Sequence, residues 1–381
     1  MSLHLKYISI IVTRFIFSVI KIFPVNRDKI IFTSFGGIRI SCNPWYIYNE
    51  LISRSKNYKL YWVVTDENEL VGKEYQIKYG TMSYIYHMLT AACVITNDTL
   101  PSYLPFRKKQ LVVNTWHGGG LFKQTYGNCS VRENAYNQRV NMIHNNDIKL
   151  YTISSEAWCT QVVRHRFGYR GEVLNCGMPR NDIFFDNRLD EAFIKVRKFY
   201  NINELDAILL YAPTFRGSST TANNCTFNNQ PIDIKSILEC LSNKYNKKFH
   251  FIFRGHHAMK ASLSGCIDAS LYPDMQELLA AADIFISDYS SCLWDYALTR
   301  RPIFLYAPDF DEYSQKPGFE SDYNDWPFII CRSNSELIEN INIFNSEKFT
   351  ADIDRYLSSY GSYEDGNASK KVVDYIIKKL N

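Results

Sequence analysis

The sequence predicts an α/β protein built from two Rossmann-like domains whose parallel sheets face a central cleft. The 381 residues are 46% hydrophobic and 22% charged, which is enough apolar material for two packed domains and is not typical of a disordered chain. Short apolar runs alternate with helical patterns, which indicates parallel sheets with crossover helices. The alternation stops near residues 182–190 and then restarts, so we expect two such units in succession.

The first predicted domain spans residues 26–186 and the second spans residues 187–381. In the first, strands are expected at 29–35, 58–64, 93–96, 111–115 and 150–154, and helices at 44–54, 83–92 and from the last strand to about 167. In the second, strands are expected at 207–211, 249–254, 283–287 and 302–306, and helices at 234–245, 274–281 and 291–299. A closing helix at 370–380 is free to pack back on the first domain. Residues 217–230, rich in Ser, Thr and Asn, predict a mobile loop.

Residues 1–25 are predicted to form an amphipathic helix that associates with a membrane. Lys6, Arg14 and Lys21 fall on one side of this helix, while Ile, Val and Phe side chains fill much of the other. The alternatives are a helix packed on its own domain and a single transmembrane anchor, which Arg14 near its centre would make costly. Arg14 also argues against a cleaved signal peptide, because it interrupts the apolar run. We therefore expect a peripheral protein at the cytoplasmic face of the cell membrane.

Charge and cysteine usage exclude several classes of function. The formal net charge of +4 is too small to indicate a nucleic-acid partner. The ten cysteines form no CxxC pair and have no histidine at zinc-finger spacing, so reduced thiols are expected. The sequence has no GKS/T phosphate loop, which excludes a P-loop ATPase. Asp309 and Asp311 resemble a paired acidic motif only weakly, and we interpret them as loop residues.

Two polar motifs belong to the first predicted domain. Thr115-Trp116-His117-Gly118-Gly119-Gly120 directly follows an apolar strand, and its glycines permit close approach of the backbone to a ligand. A histidine at a strand end can take a proton from a hydroxyl group near neutral pH, and Lys123 is placed to hold a phosphate. Gly177-Met178-Pro179-Arg180-Asn181-Asp182 lies near the domain boundary, where it forms either a turn with polar side chains toward the cleft or a hinge.

Three further motifs follow strands of the second predicted domain. Tyr211-Ala212-Pro213-Thr214-Phe215-Arg216 and Arg254-Gly255-His256-His257 supply hydroxyl, guanidinium and imidazole groups that suit a phosphate. Asp288-Tyr289-Ser290-Ser291 precedes a helix, whose first amides and capping hydroxyls form an anion site. Because the carboxyl ends of parallel strands meet at one edge of a sheet, these groups predict a site for a phosphate-rich donor.

Taken together, these motifs resemble those of the CDP-glycerol glycerophosphotransferases that build teichoic acids and some capsules. The matching elements are the Thr-Trp-His-Gly loop with its following Lys, the motifs named above, and the segments Arg301 to Asp309 and Tyr363-Glu364-Asp365-Gly366-Asn367-Ala368. Their order and spacing match from about Ile30 onwards. Agreement of this kind along the chain is far more specific than any single motif.

The resemblance implies a GT-B-like fold, with the acceptor mostly on the first domain and the CDP-activated donor on the second. It implies that His117 is the base and that His256 assists departure of CMP. The implied donor-binding residues are Thr214, Arg216, Arg254, Asp288, Ser290 and Ser291, and the implied acceptor or phosphate contacts are Trp116, Gly118, Lys123, Arg180 and Asn181.

The implied reaction is in-line attack by an acceptor hydroxyl on the β-phosphorus of CDP-glycerol or CDP-ribitol. The expected acceptor is a lipid-linked saccharide or polymer in teichoic acid or capsular polysaccharide synthesis, met at the inner membrane surface. The motifs require no cofactor, although a divalent cation such as Mg²⁺ is compatible with them as an assisting ion.

Two departures from the family pattern leave the acceptor and the polyol open. His257 stands where the family usually has proline, and Gly119-Gly120 replaces a larger pair. A GT-B glycosyltransferase using a nucleotide sugar such as CMP-sialic acid is the nearest alternative. A non-catalytic scaffold for polymer assembly is a third interpretation. It is disfavoured by the intact site residues His117, His256, Arg254 and Ser290.

Overall fold

The computed structural model of the chain describes residues 2–54, 58–120, 131–214, 231–255, 263, 265–315, 318–319 and 321–381, with the side chains of 131–134 left out. The predicted mobile loop at 217–230 lies outside these residues. Backbone contacts divide the described residues into two compact units. The first holds residues up to Gly119, those from 131 to Asp182 and those from Gly361 onwards; the second holds Gly120 and those from Ile183 to Tyr360.

The first unit is a parallel sheet with helices. Its strands are β1 (Asn26–Thr33), β2 (Lys59–Val64), β3 (Gln76–Lys78), β4 (Ala91–Thr96), β5 (Leu111–Asn114), β6 (Leu150–Ile153) and β7 (Glu172–Asn175). Its helices are α1 (Leu3–Phe17), α2 (Cys42–Arg54), α3 (Met82–Thr90), α4 (Val131–Asp147), a π-helix (Trp158–Arg166) and, from the end of the chain, α12 (Ala368–Leu380). The seven strands lie in the order β3-β2-β1-β4-β5-β6-β7, and every pair is parallel.

The core of the first unit explains why its strands are so apolar. Every residue of β4 and β5 is buried, as expected for central strands covered on both faces. On one face, Ile47 and Leu51 of α2 form a single cluster with Val372 and Ile376 of α12. The final helix therefore belongs to the first unit. Its start is fixed by the buried Asp182, whose carboxylate accepts the N–H groups of Ala368 and Ser369 at 2.8 Å each.

The second unit repeats this architecture. Its strands are β8 (Ala207–Tyr211), β9 (Phe249–Phe253), β10 (Ile267–Asp268), β11 (Ile284–Ser287), β12 (Ile303–Tyr306) and β13 (Ile329–Cys331). Its helices are α5 (Arg188–Phe199), α6 (Ile234–Tyr245), α7 (Met275–Ala281), α8 (Cys292–Ala297), α9 (Phe310–Gln315), α10 (Asn334–Ile343) and α11 (Ser346–Ser359). The six strands lie in the order β10-β9-β8-β11-β12-β13, again all parallel.

Each sheet reverses its strand order at one place. In the first unit the reversal falls between β1 and β4, and in the second it falls between β8 and β11. The loops that leave these strands diverge to opposite sides, which opens a crevice at the carboxyl ends of the strands. The loops after β1, β4, β8 and β11 are therefore where ligand groups are expected.

The first segment of the chain has an exposed apolar face. No side chain of α1 or of the following 3₁₀ turn Ser18–Ile22 is buried, although Leu3–Ile22 is apolar enough to cross a membrane by length and composition. Arg14 fixes the segment to the first unit, because its guanidinium donates to both carboxylate oxygens of Asp147 at 2.9 and 3.0 Å. The segment thus contacts its own unit through Arg14 and also through aromatic side chains, since Phe17 lies 5.9 Å from Tyr103 and Phe23 lies 5.5 Å from Tyr86 between ring centroids. Its other face leaves Phe15, Val19 and Ile22 exposed.

Candidate active site

His117 lies in the loop after β5, next to the point where the first sheet reverses. Its Nδ1 atom is 2.7 Å from the carbonyl oxygen of Asn97, in the loop after β4. A carbonyl oxygen only accepts hydrogen bonds, so Nδ1 carries the proton and Nε2 has the free lone pair. The geometry therefore assigns the tautomer that a base acting through Nε2 requires.

Aromatic rings hold the imidazole of His117 in place. The ring of Trp116 is stacked on it with centroids 4.7 Å apart, and Phe35 lies 5.4 Å away on another side. Trp116 takes a left-handed conformation with φ of 52°, which is costly for a bulky residue. Asn43 stabilises that turn, since its side-chain amide donates to the carbonyl of Trp116 at 2.8 Å.

Burial lowers the pKa of His117, and the nearby positive charge of Arg180 acts in the same direction. The hydrogen bond to Asn97 and the negative charge of Asp98 act against this shift without reversing it. A lowered pKa keeps the imidazole neutral at pH 7, the state in which it can accept a proton. His117 is only half-buried, so a ligand can still reach it.

The predicted contacts Arg180 and Asn181 lie behind this loop and are 4% and 2% exposed. The Nη1 atom of Arg180 donates to the carbonyl of His117 at 2.6 Å and approaches Cys42 Sγ at 3.3 Å. The amide of Asn181 donates to a carboxylate oxygen of Glu364 at 3.0 Å. The structure therefore places both side chains where they support the loop. Gly118 is buried in the loop itself, and Lys123 lies outside the described residues.

Glu364 joins the late acidic segment to the turn that carries Arg180. Its two carboxylate oxygens accept the N–H of Met178 at 3.0 and 3.1 Å. Gly177 has φ of 89°, and a Cβ atom there would lie 2.6 Å from Glu364 Oε2, so only glycine fits. Glu364, Asn97 and Asn43 were not among the residues that the sequence singled out individually. Only the acidic motif around Glu364 carried a signal.

In the second unit, Thr214 and Asp288 meet across the reversal between β8 and β11. One carboxylate oxygen of Asp288 accepts the backbone N–H of Thr214 at 2.8 Å and also the hydroxyl of that residue. The same oxygen accepts the N–H of Tyr289 at 2.7 Å. Asp288 is 1% exposed, so it is placed to hold the two loops together.

The other predicted donor residues surround this connection. Ser290 Oγ accepts the N–H of Cys292 at 3.3 Å, and Ser291 directly precedes the six-residue helix α8. Arg254 is 8% exposed, and its Nη1 donates to the carbonyls of Ala269 and Tyr272 at 2.5 Å each. This nitrogen stabilises the loop after β10. Arg216 and His256 lie outside the described residues.

The described residues contain no group of three or more His, Cys, Asp or Glu side chains placed to hold a metal ion. Asp311, one half of the weak acidic pair in the sequence, is paired with Arg332 at 3.2 Å. Asp309 accepts a hydrogen bond from the hydroxyl of Tyr289 at 3.1 Å. Both aspartates, which follow β12, therefore have protein partners: Tyr289 in the loop after β11 and Arg332 directly after β13.

The protein has a GT-B-like fold, because it consists of two α/β units with parallel sheets, each with polar loops near the point where its strand order reverses. The first unit carries a neutral histidine on a glycine-rich loop and the second carries hydroxyl groups at its strand ends, and both kinds of group suit the transferase class. The family described as CDP-Glycerol:Poly(glycerophosphate) glycerophosphotransferase matches residues 15–378. The chain belongs to this family and is an enzyme of the glycerophosphotransferase type.

Individual relatives agree with this assignment. A teichoic acid poly(glycerol phosphate) polymerase of Bacillus spizizenii is 29% identical over 98% of this chain and 98% of its own length. A teichoic acid poly(ribitol-phosphate) polymerase of the same species is 28% identical over 95% of this chain and 58% of its own length. The wall teichoic acid polymerase TagF is similar in structure, with a TM-score of 0.81 and 26% identity over 99% of this chain and 96% of that one. A variant of TagF soaked with CDPG gives a TM-score of 0.79 at 25% identity, over 99% and 96% of the two chains.

Proposed function

We propose that the protein transfers glycerol phosphate from CDP-glycerol to a hydroxyl group of a lipid-linked or polymeric acceptor, and releases CMP. The reaction would extend or prime a teichoic acid or a capsular polysaccharide. The observation that carries this proposal is the neutral His117, held as its Nδ1–H tautomer on the loop that the family motif predicts. Of three relatives that match along more than nine-tenths of their own length, two are named for glycerol phosphate and one for ribitol phosphate. The glycerol-phosphate polymerase has the highest identity of these three, 29%, which favours glycerol phosphate as the polyol.

In the proposed reaction, Nε2 of His117 takes the proton of the acceptor hydroxyl as its oxygen attacks the β-phosphorus of the donor. A new oxygen–phosphorus bond forms, and the bond between that phosphorus and the bridging oxygen breaks. The electron pair of the broken bond leaves with CMP, whose phosphate gains negative charge. Hydrogen-bond donors fixed around the leaving phosphate would therefore contribute most to the rate.

We assign donor binding to the second unit. Hydroxyl groups lie near the point where the strand order reverses, on Thr214, Ser290 and Ser291. Asp288 holds together the two loops that carry them. Arg254 would then act mainly by holding the loop after β10, given its contacts with two carbonyl oxygens. His256 and Arg216 remain predicted partners of the leaving phosphate, on sequence grounds alone.

The proposed chemistry needs no resident metal ion. The imidazole supplies the base, and the leaving charge is met by side chains and backbone amides of this chain. A divalent cation such as Mg²⁺ would assist only by accompanying the pyrophosphate of the donor. Chelation with EDTA should therefore reduce turnover by less than about tenfold, whereas a metal-dependent enzyme loses turnover entirely.

We further propose that the enzyme works at the cytoplasmic face of the cell membrane as a peripheral protein. Phe15, Val19 and Ile22 are 79%, 65% and 75% exposed, a degree of exposure that is unfavourable for apolar side chains in water. Arg14 stays bound to Asp147, which supports a helix lying on the surface over one that spans the bilayer. A membrane surface would also hold the lipid-linked acceptor.

The purified full chain should be incubated separately with CDP-glycerol, CDP-ribitol and CMP-sialic acid, each with a lipid-linked saccharide acceptor. We expect CMP release and a product heavier by one glycerol phosphate, or by multiples of it, only with CDP-glycerol. A product that contains ribitol phosphate would show that the polyol is ribitol and that the type of reaction is as proposed. A relative of this chain is named as a ribitol-phosphate polymerase. Product formation only from CMP-sialic acid would overturn the proposal in favour of glycosyl transfer.

A further inference from the structure

We propose that a cavity in the first unit, next to the active-site loop, binds an uncharged, hydroxylated ring of the acceptor, that is, its saccharide part. The cavity and the open solvent at its mouth together occupy about 550 Å³. It lies at the carboxyl ends of β4 and β5 and is closed by residues 99–106, by the last turns of α4 and by Phe167. This inference rests on the proposed function, since it assigns part of the acceptor to a place in the protein.

Trp116 connects this cavity to the reacting group. Its indole lines the cavity and is stacked on the imidazole of His117 with centroids 4.7 Å apart. Phe167 also lines the cavity and packs directly against the same indole, with ring centroids 4.7 Å apart. A ring bound here would contact the residue that directly supports the base. In the proposed binding mode, a hydroxyl group further along the acceptor then reaches Nε2 of His117.

The lining suits a saccharide because it combines aromatic rings with side-chain amides. Asn114, Asn141 and Asn145 all line the cavity, together with Tyr151 and Trp116. Asn114 and Asn145 already donate to the carbonyls of Asp98 and Phe167 at 3.2 and 2.8 Å, so we assign the main polar contact with the ligand to Asn141. An amide offers both a donor and an acceptor, which matches a hydroxyl group that needs both. Aromatic rings offer flat apolar faces on which the C–H side of a sugar ring can lie. Pockets that combine apolar walls with a few polar groups are typical of small-molecule sites.

Charge argues against a phosphate as the occupant. The carboxylate of Asp147 is already bound by Arg14 at 2.9 and 3.0 Å, so the pair contributes no net charge to the lining. His144 is uncharged at pH 7, because burial lowers its pKa to about 4. Among the residues that line the cavity there is no Lys or Arg. A neutral cavity favours a neutral ligand, since a buried anion without a cationic partner is costly.

Arg14 also connects the cavity to the N-terminal helix. Besides Asp147, its guanidinium donates to the carbonyls of Ser102 and Leu104 at 2.7 Å each, within the segment that closes the cavity. One side chain thus fixes both the wall of the cavity and the helix assigned to the membrane. In this arrangement the lipid of the acceptor lies near the N-terminal helix, its saccharide lies in the cavity, and its reacting hydroxyl group lies at His117.

The test fills the cavity from one side and compares two neighbouring positions of α4. In Asn141→Phe the larger side chain occupies the cavity, whereas Met142→Phe adds a ring at a position that is 64% exposed and outside the lining. We expect Asn141→Phe to raise the KM for a lipid-linked saccharide acceptor at least tenfold. The KM for CDP-glycerol and the affinity for CDP should change by less than twofold, and Met142→Phe should match the parent.

Asn141→Ala keeps the measurement informative if the phenylalanine variant fails to fold. It removes the amide without filling space, so we expect a threefold to tenfold rise in acceptor KM with an unchanged melting temperature. A direct probe is saturation-transfer NMR with methyl glycosides of neutral hexoses. Signals from the ring protons should be present with the parent and Met142→Phe, lost with Asn141→Phe, and unaffected by sn-glycerol 3-phosphate.

Two results would overturn the assignment. One is an acceptor KM that is the same for Asn141→Phe, Asn141→Ala and Met142→Phe, which would make the cavity a water-filled space. The other is displacement of the glycoside by sn-glycerol 3-phosphate, which would indicate a phosphate site. Failure of the proposed function itself would be seen separately, as a parent enzyme that releases no CMP from CDP-glycerol under any condition.

Discussion

The proton on Nδ1 of His117 points at the carbonyl oxygen of Asn97 across 2.7 Å. Many enzymes orient a histidine base with a carboxylate, which raises its pKa. A carbonyl oxygen orients the ring equally well but stabilises the protonated form less, because it carries only a partial charge. The arrangement therefore gives a correctly oriented base whose pKa stays below the ordinary value.

His117→Ala should lower kcat by about 10²–10⁴-fold, the usual contribution of a general base. His165→Ala is the matched control, since His165 is exposed and lies outside the site. Circular dichroism melting should show that both variants fold. Turnover near the parent value in a folded His117→Ala protein would remove this residue from catalysis.

The pH profile of kcat/KM should follow the lowered pKa of His117. The neutral imidazole is the active form, so activity should stay constant from pH 8 down to about its ordinary value of 6.5. Activity should fall only below that pH, as the ring becomes protonated. An acid limb centred well above pH 7 would show that another group is the base.

Asp288→Ala should weaken donor binding by at least tenfold. The carboxylate holds the N–H groups of Thr214 and Tyr289, so its loss frees the two loops assigned to the donor. Asp311→Ala is the control, because Asp311 lies in α9, is exposed and is paired with Arg332. Isothermal calorimetry with CDP measures the effect. If only the acceptor KM rises, the two units have been assigned to the wrong substrates.

Gly120→Ala should impair the active-site loop more than Gly119→Ala. A Cβ atom on Gly120 would lie 1.5 Å from Cδ1 of Trp294, which is a rigid and largely buried ring. At Gly119 the nearest atom is the Ser154 hydroxyl at 2.9 Å, which can rotate away. We expect Gly120→Ala to lose at least tenfold in kcat and about 1–3 kcal/mol of stability. Equal melting temperatures and turnover for both variants would contradict this packing.

Replacing two exposed apolar residues of the first segment should release the enzyme from membranes. Phe15→Asp/Ile22→Asp removes side chains that would each gain roughly 1.5–3 kcal/mol on burial. Binding to vesicles of phosphatidylglycerol and phosphatidylcholine should fall at least tenfold in a sedimentation assay. Leu271→Asp is the control, since Leu271 is 96% exposed in the second unit. Parent-like vesicle binding by the double variant would disprove the surface helix.

Lys29 should make the free energy of unfolding depend on pH. It is 5% exposed, its Nζ donates to Thr90 Oγ1 at 2.7 Å, and burial lowers its pKa to about 8. Between about pH 8 and its ordinary value of 10.5 the unfolded chain holds this proton and the folded chain does not, so stability rises with pH there.

Lys29→Met lacks this charge and should be more stable than the parent at pH 7, by at most about 3 kcal/mol. That advantage should shrink as pH rises from 8 toward 10. Urea unfolding at several pH values measures the difference, in which the titration of buried tyrosines cancels. Lys59→Met, at an exposed position, should show no such trend. A constant difference between Lys29→Met and the parent would mean that Lys29 keeps its ordinary pKa.

Several elements were predictable because their signal is local. The strands at 207–211 and 249–253 and the helix Ile234–Tyr245 agree with the sequence patterns to within a residue. The polar helix α4 was not predicted, because it has too few apolar residues to show a helical period. The helix after β6 was expected at the right place, but it is a π-helix, a rare form that hydrophobic periodicity does not predict.

In the candidate site, too, some residues were predictable from the sequence and others were not. His117, Thr214, Asp288 and Ser290 were predicted because each follows an apolar strand and carries a reactive or hydrogen-bonding group. Arg180 and Asn181 were also identified, but the structure turns their side chains toward the loop backbone and Glu364, where they provide support. Sequence reasoning did not reveal these partners, since 183 residues separate Asn181 from Glu364.

By itself, the sequence determined the class of fold, the family and the strand ends at which the chemistry lies. Those properties are predicted by the periodicity of apolar residues and by short motifs, and both patterns involve residues that are close together in the sequence. Only the tertiary structure decided that Asn97 sets the tautomer of His117, that Arg14 binds Asp147, and that α12 completes the first unit. Each of these depends on contacts between distant parts of the chain, and such contacts exist only once the core has brought the strand ends and helix ends together.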